Sequence, residues 1–204
     1  MKLLKDYPLL VLAGNWNHAI FQKEWVSKFL LPQKELKVEF PFSERASQRI
    51  TSGALRIYTM GDKLCFAPLQ TDTKTFGQIE DLALKLADLL PHTPVKAFGV
   101  NFKYEEDSNQ TLLALLETNE ANLLAQMYGE LKSSTIRHAF EYEGKLINLD
   151  LLRQNEHVVI NLNFHFDIKD LVQFKEKYNE NEILELKNLA EEILRDIYNL
   201  DLND

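Results

Sequence analysis

Two stretches of this chain echo one another: Pro8–Trp16 reads PLLVLAGNW and Pro94–Phe102 reads PVKAFGVNF. In each, a proline is followed seven positions on by an asparagine and then by a bulky aromatic. A helix-like stretch comes next, then strand-like stretches, then another helix. A unit of that kind has one apolar sheet face and a helix or two to cover it, so neither unit is self-sufficient. Set side by side, two such units make one antiparallel sheet with helices packed on one face. The expected fold is therefore α+β, a pseudo-duplicated single domain over residues 1–204 with β-α-β-β-β-α units at 8–91 and 94–200. A single α+β domain without a repeat is the competing reading.

The periodicities locate the elements. Leu9 to Asn15 reads as a buried strand, and Asn15 or Asn17 as the cap of a helix that runs to Leu31, where Pro32 stops it. Ile20, Trp25, Phe29 and Leu30 are its expected core contacts. Leu36, Val38 and Phe40 alternate with Lys37 and Glu39 as in a half-buried strand. A polar stretch from Phe42 to Gly53 leads to a hairpin, Ala54 to Thr59 and Lys63 to Leu69, turning at Gly61-Asp62. Phe76 to Leu90 has helical spacing. In the second half Val95 to Glu105 reads as a strand, and Ser108 as the cap of a helix with Leu112, Leu115, Leu116, Leu123 and Met127 on its apolar side, broken near Thr118-Asn119. A second hairpin joins Ile136–Tyr142 to Lys145–Leu152 at Glu143-Gly144. The clearest strand alternates Val158, Ile160, Leu162, Phe164 and Phe166 with Val159, Asn161, Asn163, His165 and Asp167. A long acidic amphipathic helix closes the chain. The order β-α-β-β-β-α used twice resembles, in topology alone, the saddle-shaped duplicated folds of which the TATA-binding protein is an example.

Charge argues against a shared DNA function. Residues 1–102 carry 13 basic against 10 acidic side chains, and residues 103–204 carry 10 against 21, within a net charge of −8. Phosphate backbones select clustered Lys and Arg, so nucleic acid is disfavoured as a partner. No run approaches the roughly 20 apolar residues that span a bilayer. The stretch Met1–Gly14 reads as a first strand rather than a secretion signal, since Asp6 interrupts its basic end. The one cysteine, Cys65, sits in a strand pattern and reads as a buried, reduced thiol, which favours a cytoplasmic location.

The chain contains no P-loop, dinucleotide-binding, zinc-protease or nucleophile-elbow motif and no paired cysteines, and its 7 glycines are few for a phosphate-binding loop. No cofactor or metal is expected. Three groups of residues carry chemistry. Arg45, Arg49 and Arg56 form the most basic stretch, and guanidinium forks grip phosphate or carboxylate bidentately; intramolecular pairing with the acidic second half is the alternative. His165 and Asp167 share one strand face with Asn161 and Asn163, with Asn148 and Asp150 available from a neighbour, and imidazole beside carboxylate is the geometry of an acid–base pair. A solvated sheet face explains the same stripe. The pairs Asn15-Trp16 and Asn101-Phe102 read as structural.

Two functions follow. The first is a non-enzymatic cytoplasmic protein-binding module of adaptor, regulatory or immunity type, whose partner is another protein or a second copy. The second is an enzyme or sensor for a small anionic ligand, with Arg45, Arg49 and Arg56 as clamp and His165 with Asp167 as the acid–base pair. The missing motifs and the charge skew favour the first.

Overall fold

The structure, a computed structural model, describes residues 1–32, 35–40, 48–107, 110–154 and 157–200. In chain order the elements are β1 (Lys2–Leu3), β2 (Leu10–Gly14), a 3-10 turn (His18–Ile20), α1 (Lys23–Trp25), a π-helical turn (Val26–Leu30), β3 (Lys37–Glu39), β4 (Arg49–Ser52), β5 (Leu55–Met60), β6 (Lys63–Pro68) and α2 (Thr73–Leu89). There follow β7 (Val95–Asp107), α3 (Gln110–Leu116), α4 (Asn119–Tyr128), β8 (Ser133–Tyr142), β9 (Lys145–Gln154), β10 (His157–Asp167), α5 (Leu171–Lys177) and α6 (Glu182–Tyr198). The strands form one antiparallel sheet ordered β3-β4-β5-β6-β2-β7-β10-β9-β8, with β1 on β7. This is the expected α+β class. The chain divides into two compact units, one of Met1–Leu4, Phe102–Phe164 and Lys187–Asp204, the other of Lys5–Asn101 and His165–Leu186.

In the unit of β2 to β6, alternation sets the core. Leu10, Leu12, Leu55, Ile57, Leu64 and Phe66 are buried, and α2 packs on β5, β6 and α5. Asp72 starts α2 by accepting from Thr75 N at 2.7 Å, an N-cap bond that also holds its carboxyl below the ordinary range. From there Phe76, Ile79, Leu82, Ala83 and Leu86 make the buried stripe. Each large side chain among them contributes about 1.5–3 kcal/mol by leaving water. Phe98 of β7 stacks on Phe166 at 4.4 Å between centroids and meets Phe174 edge-on at 5.0 Å, which ties α5 to the sheet. Glu80, in the middle of α2, is a buried carboxylate that accepts from Ile183 N at 2.8 Å and Tyr178 Oη at 3.2 Å. It thereby serves the first turn of α6, whose backbone N–H groups lack helical partners. The offset that carries Pro8 onto Pro94 also carries Leu12 onto Phe98, and these two residues are directly opposed in the β2–β7 ladder.

In the other unit, Ile147, Leu149 and Leu151 of β9 and Val158, Ile160, Leu162 and Phe164 of β10 form the apolar face. Phe102 meets Phe164 edge-on at 6.1 Å, and α3 covers β8 and β9 through Leu112, Leu113 and Leu116. The amino terminus pairs with Glu106 at 2.6 Å. Two left-handed residues, Glu143 (φ 49°) and Gly144 (φ 73°), turn β8 into β9, the conformation that a tight two-residue hairpin demands.

The structure corrects several expectations. The helix expected up to Leu31 is broken into a 3-10 turn, one α turn and a π turn closed by Leu31 N to Val26 O. The wider π turn changes which of its side chains face inward, so Val26 is buried while Phe29 is 40% exposed, and Phe21 is buried ahead of α1. Arg49–Ser52, read as part of a polar stretch, is a strand, because Ile50 is buried opposite Ile57. Phe40 lies outside β3 and is exposed. A further helix, α5, precedes the closing helix. The break at Thr118 is present, with Thr118 Oγ1 capping α4 through Ala121 N, but Leu115, Leu123 and Met127 face outward. The expected cap Ser108 lies outside the described residues.

Candidate functional site

Arg56 sits on the less buried face of β5, opposite Thr51 of β4, and is only 13% exposed. Its guanidinium is fully engaged inside the protein: Nη1 donates to Asp6, Nη2 lies 3.5 Å from Glu39, and Nε donates to Thr51 Oγ1 at 3.2 Å. The carboxylates come from the first half of the chain, not from the acidic second half. Arg49 is exposed, opposes Glu39 in the β3–β4 ladder, and lies over the Tyr58 ring at 5.5 Å. The hydrogen bond from Lys37, with Arg56 next in effect, holds the Glu39 carboxyl below its ordinary range. Burial pushes the Tyr58 hydroxyl up to about 12. Arg45 lies outside the described residues. Arg49 and Arg56 are thus brought onto neighbouring strands, with two carboxylates already beside them.

His165 and Asp167 do meet: Nε2 and Oδ1 are 3.2 Å apart, as residues two apart on one strand face should be. Asp167 is 91% exposed and His165 34%. Between β5 and β10 the order runs through β6, β2 and β7. Four strand spacings amount to about 19 Å, so the arginines and the His165–Asp167 pair do not share a cleft. Farther along the polar stripe, Asn148 Nδ2 donates to Asn163 Oδ1 at 3.0 Å, joining the neighbouring strands as the sequence suggested. Asp150 is held by Arg137 through two bonds, from Nε at 2.6 Å and Nη2 at 2.9 Å. Among the described residues no three of His, Cys, Asp and Glu come together to hold a metal. Cys65 is buried with a thiol pushed up to about 11 by desolvation, the opposite of an activated nucleophile.

The aromatic partners of the repeated asparagines are structural. Trp16 and Phe102 are buried, Trp16 Nε1 donates to Leu12 O at 2.9 Å, and Asn101 Nδ2 donates to Leu9 O at 3.3 Å. A cleft of about 410 Å³ lined by Leu31, Gln70, Asp72, Lys74, Gln78 and Lys85 contains none of the candidate residues.

The surface that sequence reasoning missed is on α4. Leu123 (57% exposed), Leu124 (42%), Met127 (68%) and Tyr128 (80%) form one outward stripe, with Leu115 of α3 also exposed. Their spacing was legible; their direction was not, since an apolar stripe reads as core whether or not anything covers it. Ala121 is the one buried side chain of α4. With Ala125, Glu117, Arg153 and His157 it lines a cleft of about 630 Å³, so little packing supports the helix from beneath. No helix among the described residues is long and apolar enough to cross a membrane. Compared with protein-family models, with curated proteins and with solved structures, the chain matches none.

Proposed function

We propose that this protein is a non-enzymatic, cytoplasmic protein-binding module of adaptor, regulatory or immunity type. The observation that carries the reading is the outward stripe Leu123, Leu124, Met127 and Tyr128 on a helix with one buried side chain. A helix of ten residues is marginal in water without tertiary support. Thr118 caps its first turn through Ala121 N, but its apolar stripe is left to a partner. The acidic balance of the second half suits a partner with a basic rim, which adds salt-sensitive association to the apolar contact. A cytoplasmic setting agrees with the buried thiol of Cys65. The engagement of Arg56 by Asp6 and Glu39 weighs against the anionic-ligand reading.

The test is capture of partners by the tagged protein from its native cells, beside Leu123→Asp and Met127→Asp variants with unchanged circular dichroism. The expected result is a stoichiometric partner retained by the wild type, lost with either variant, and weakened as salt rises. A partner held equally by all three proteins, or none held by the wild type, overturns the α4 assignment.

A further inference from the structure

The strand order ends at β8, and this edge differs from the other. At the opposite end β3 has three residues and carries Lys37, a short charged edge of the kind that resists pairing. In contrast, β8 runs for ten residues, Ser133 to Tyr142, against β9 in an unbroken register from Ser133↔Gln154 to Tyr142↔Lys145. It contains no proline, glycine or lysine and no bulge. Its outer row of backbone N–H and C=O groups therefore forms a regular, extended template. Its side chains are uncovered too: Phe140 is 37% exposed and Tyr142 47%, although they stand on the face where Ile147 and Leu149 are buried.

We infer that β8 is a homodimer interface in which two copies pair antiparallel about a two-fold axis at Ala139. The inference rests on the protein-binding reading and names the partner as a second copy. Opposed residues of an antiparallel ladder share a face, so any self-pairing register of β8 is centred on a residue. Centred on Ala139, Arg137 stands opposite Glu141 of the second copy, and by symmetry the contact occurs twice. On the other face His138 opposes Phe140 and Ile136 opposes Tyr142, aromatic and β-branched pairs of the kind that stabilise sheets. Centred on Arg137, the two arginines would oppose each other; centred on His138, Arg137 would face Ala139. Centred on Phe140, Arg137 would reach only Glu143, which lies in the turn with φ 49°.

The charges are already set for the Ala139 register. Asp150 of the neighbouring strand holds the Arg137 guanidinium through Nε and Nη2, and the Arg137 side chain remains 71% exposed. Glu141 faces Leu146 across its own ladder, so among the described residues no cation stands opposite it there. A second copy supplies one. Complementary charge in this position sets register and partner choice.

Sedimentation velocity on the full chain at about 1–100 µM tests this, a range that resolves dimers with micromolar dissociation constants. The variants are Arg137→Glu, Glu141→Arg and their equimolar mixture. The wild type is expected to dimerise, and each variant alone to self-associate at least tenfold more weakly. The mixture should form a heterodimer at least tenfold tighter than either variant alone, since each charge then meets its opposite twice, and weaker than the wild type by no more than the Asp150 contact that Arg137→Glu gives up. A wild type monomeric across the range refutes the interface. Dimers indifferent to both substitutions, or a mixture that stays monomeric, refute the register. A monomeric wild type that still captures a partner through α4 refutes self-pairing alone, so the two readings fail separately.

Discussion

Alanine at Gly14 and alanine at Gly77 should move stability in opposite directions, and the structure says by how much. At Gly14 a Cβ would lie 2.4 Å from Pro94 O, 2.6 Å from Val95 Cα and 3.1 Å from Pro94 C, all of them backbone atoms. No rotamer relieves this; β2 and the start of β7 must separate by about 1 Å to restore ordinary contact. The same carbonyl accepts from Asn15 N at 2.8 Å, where the ladder shifts register between Ala13 and Gly14. Stretching that bond by about 1 Å takes it past hydrogen-bonding distance. The lost bond costs about 1–3 kcal/mol and the overpacking about 1–3. Stiffening of the unfolded chain offsets about 0.4–1 kcal/mol. Gly14→Ala should therefore lose about 1–6 kcal/mol of a total stability on the order of 5–15. At this chain length that lowers Tm by about 2–24 °C. Gly77 lies inside α2 with open space where its Cβ would stand. There alanine should add about 0.5–1 kcal/mol by helix propensity. Urea unfolding followed by circular dichroism, with equal m-values, measures both. A Gly14→Ala protein within about 0.5 kcal/mol of wild type, or two variants equally destabilised, would refute the close-approach argument.

Three further substitutions probe two buried polar groups. Glu80→Ala leaves Ile183 N–H and the Tyr178 hydroxyl without their acceptor, and should cost about 2–4 kcal/mol in the same assay, with Glu80→Gln milder because an acceptor remains. Burial holds the Glu80 carboxyl above its ordinary range, so its proton favours the fold below the ordinary carboxylate pKa. That contribution is lost as pH rises through the raised value; Glu80→Gln removes the dependence, and a wild type that instead gains on Glu80→Gln as pH rises would show the opposite shift. The Tyr104 hydroxyl is buried with no partner among the described residues, and burial raises its pKa. Tyr104→Phe should be neutral or stabilising by about 1 kcal/mol; a clear loss would reveal a bond to that oxygen.

How much of this was legible in the sequence depends on the range of the interactions involved. The hairpin of β5 and β6, helix α2, the break at Thr118 and the alternation of β10 are written in neighbouring residues, through turn chemistry, capping and period. Strand β4 was not, because Arg49–Ser52 is polar by composition and is a strand only through its pairing with β3 and β5. Among the candidate site residues, the approach of His165 to Asp167 follows from strand geometry alone, whereas the partners of Arg56 lie at Asp6 and Glu39, far along the chain.

By itself the sequence determined the fold class, the identity of most elements and the acidic balance, since periodicity and charge are local properties of the chain. Only tertiary structure decided that Arg56 and the His165–Asp167 pair stand about four strand spacings apart, that the stripe of α4 faces outward, and that β8 ends the sheet. Period reports which residues share a face. What that face meets is set by the order in which strands pair, and that order is a property of the whole chain.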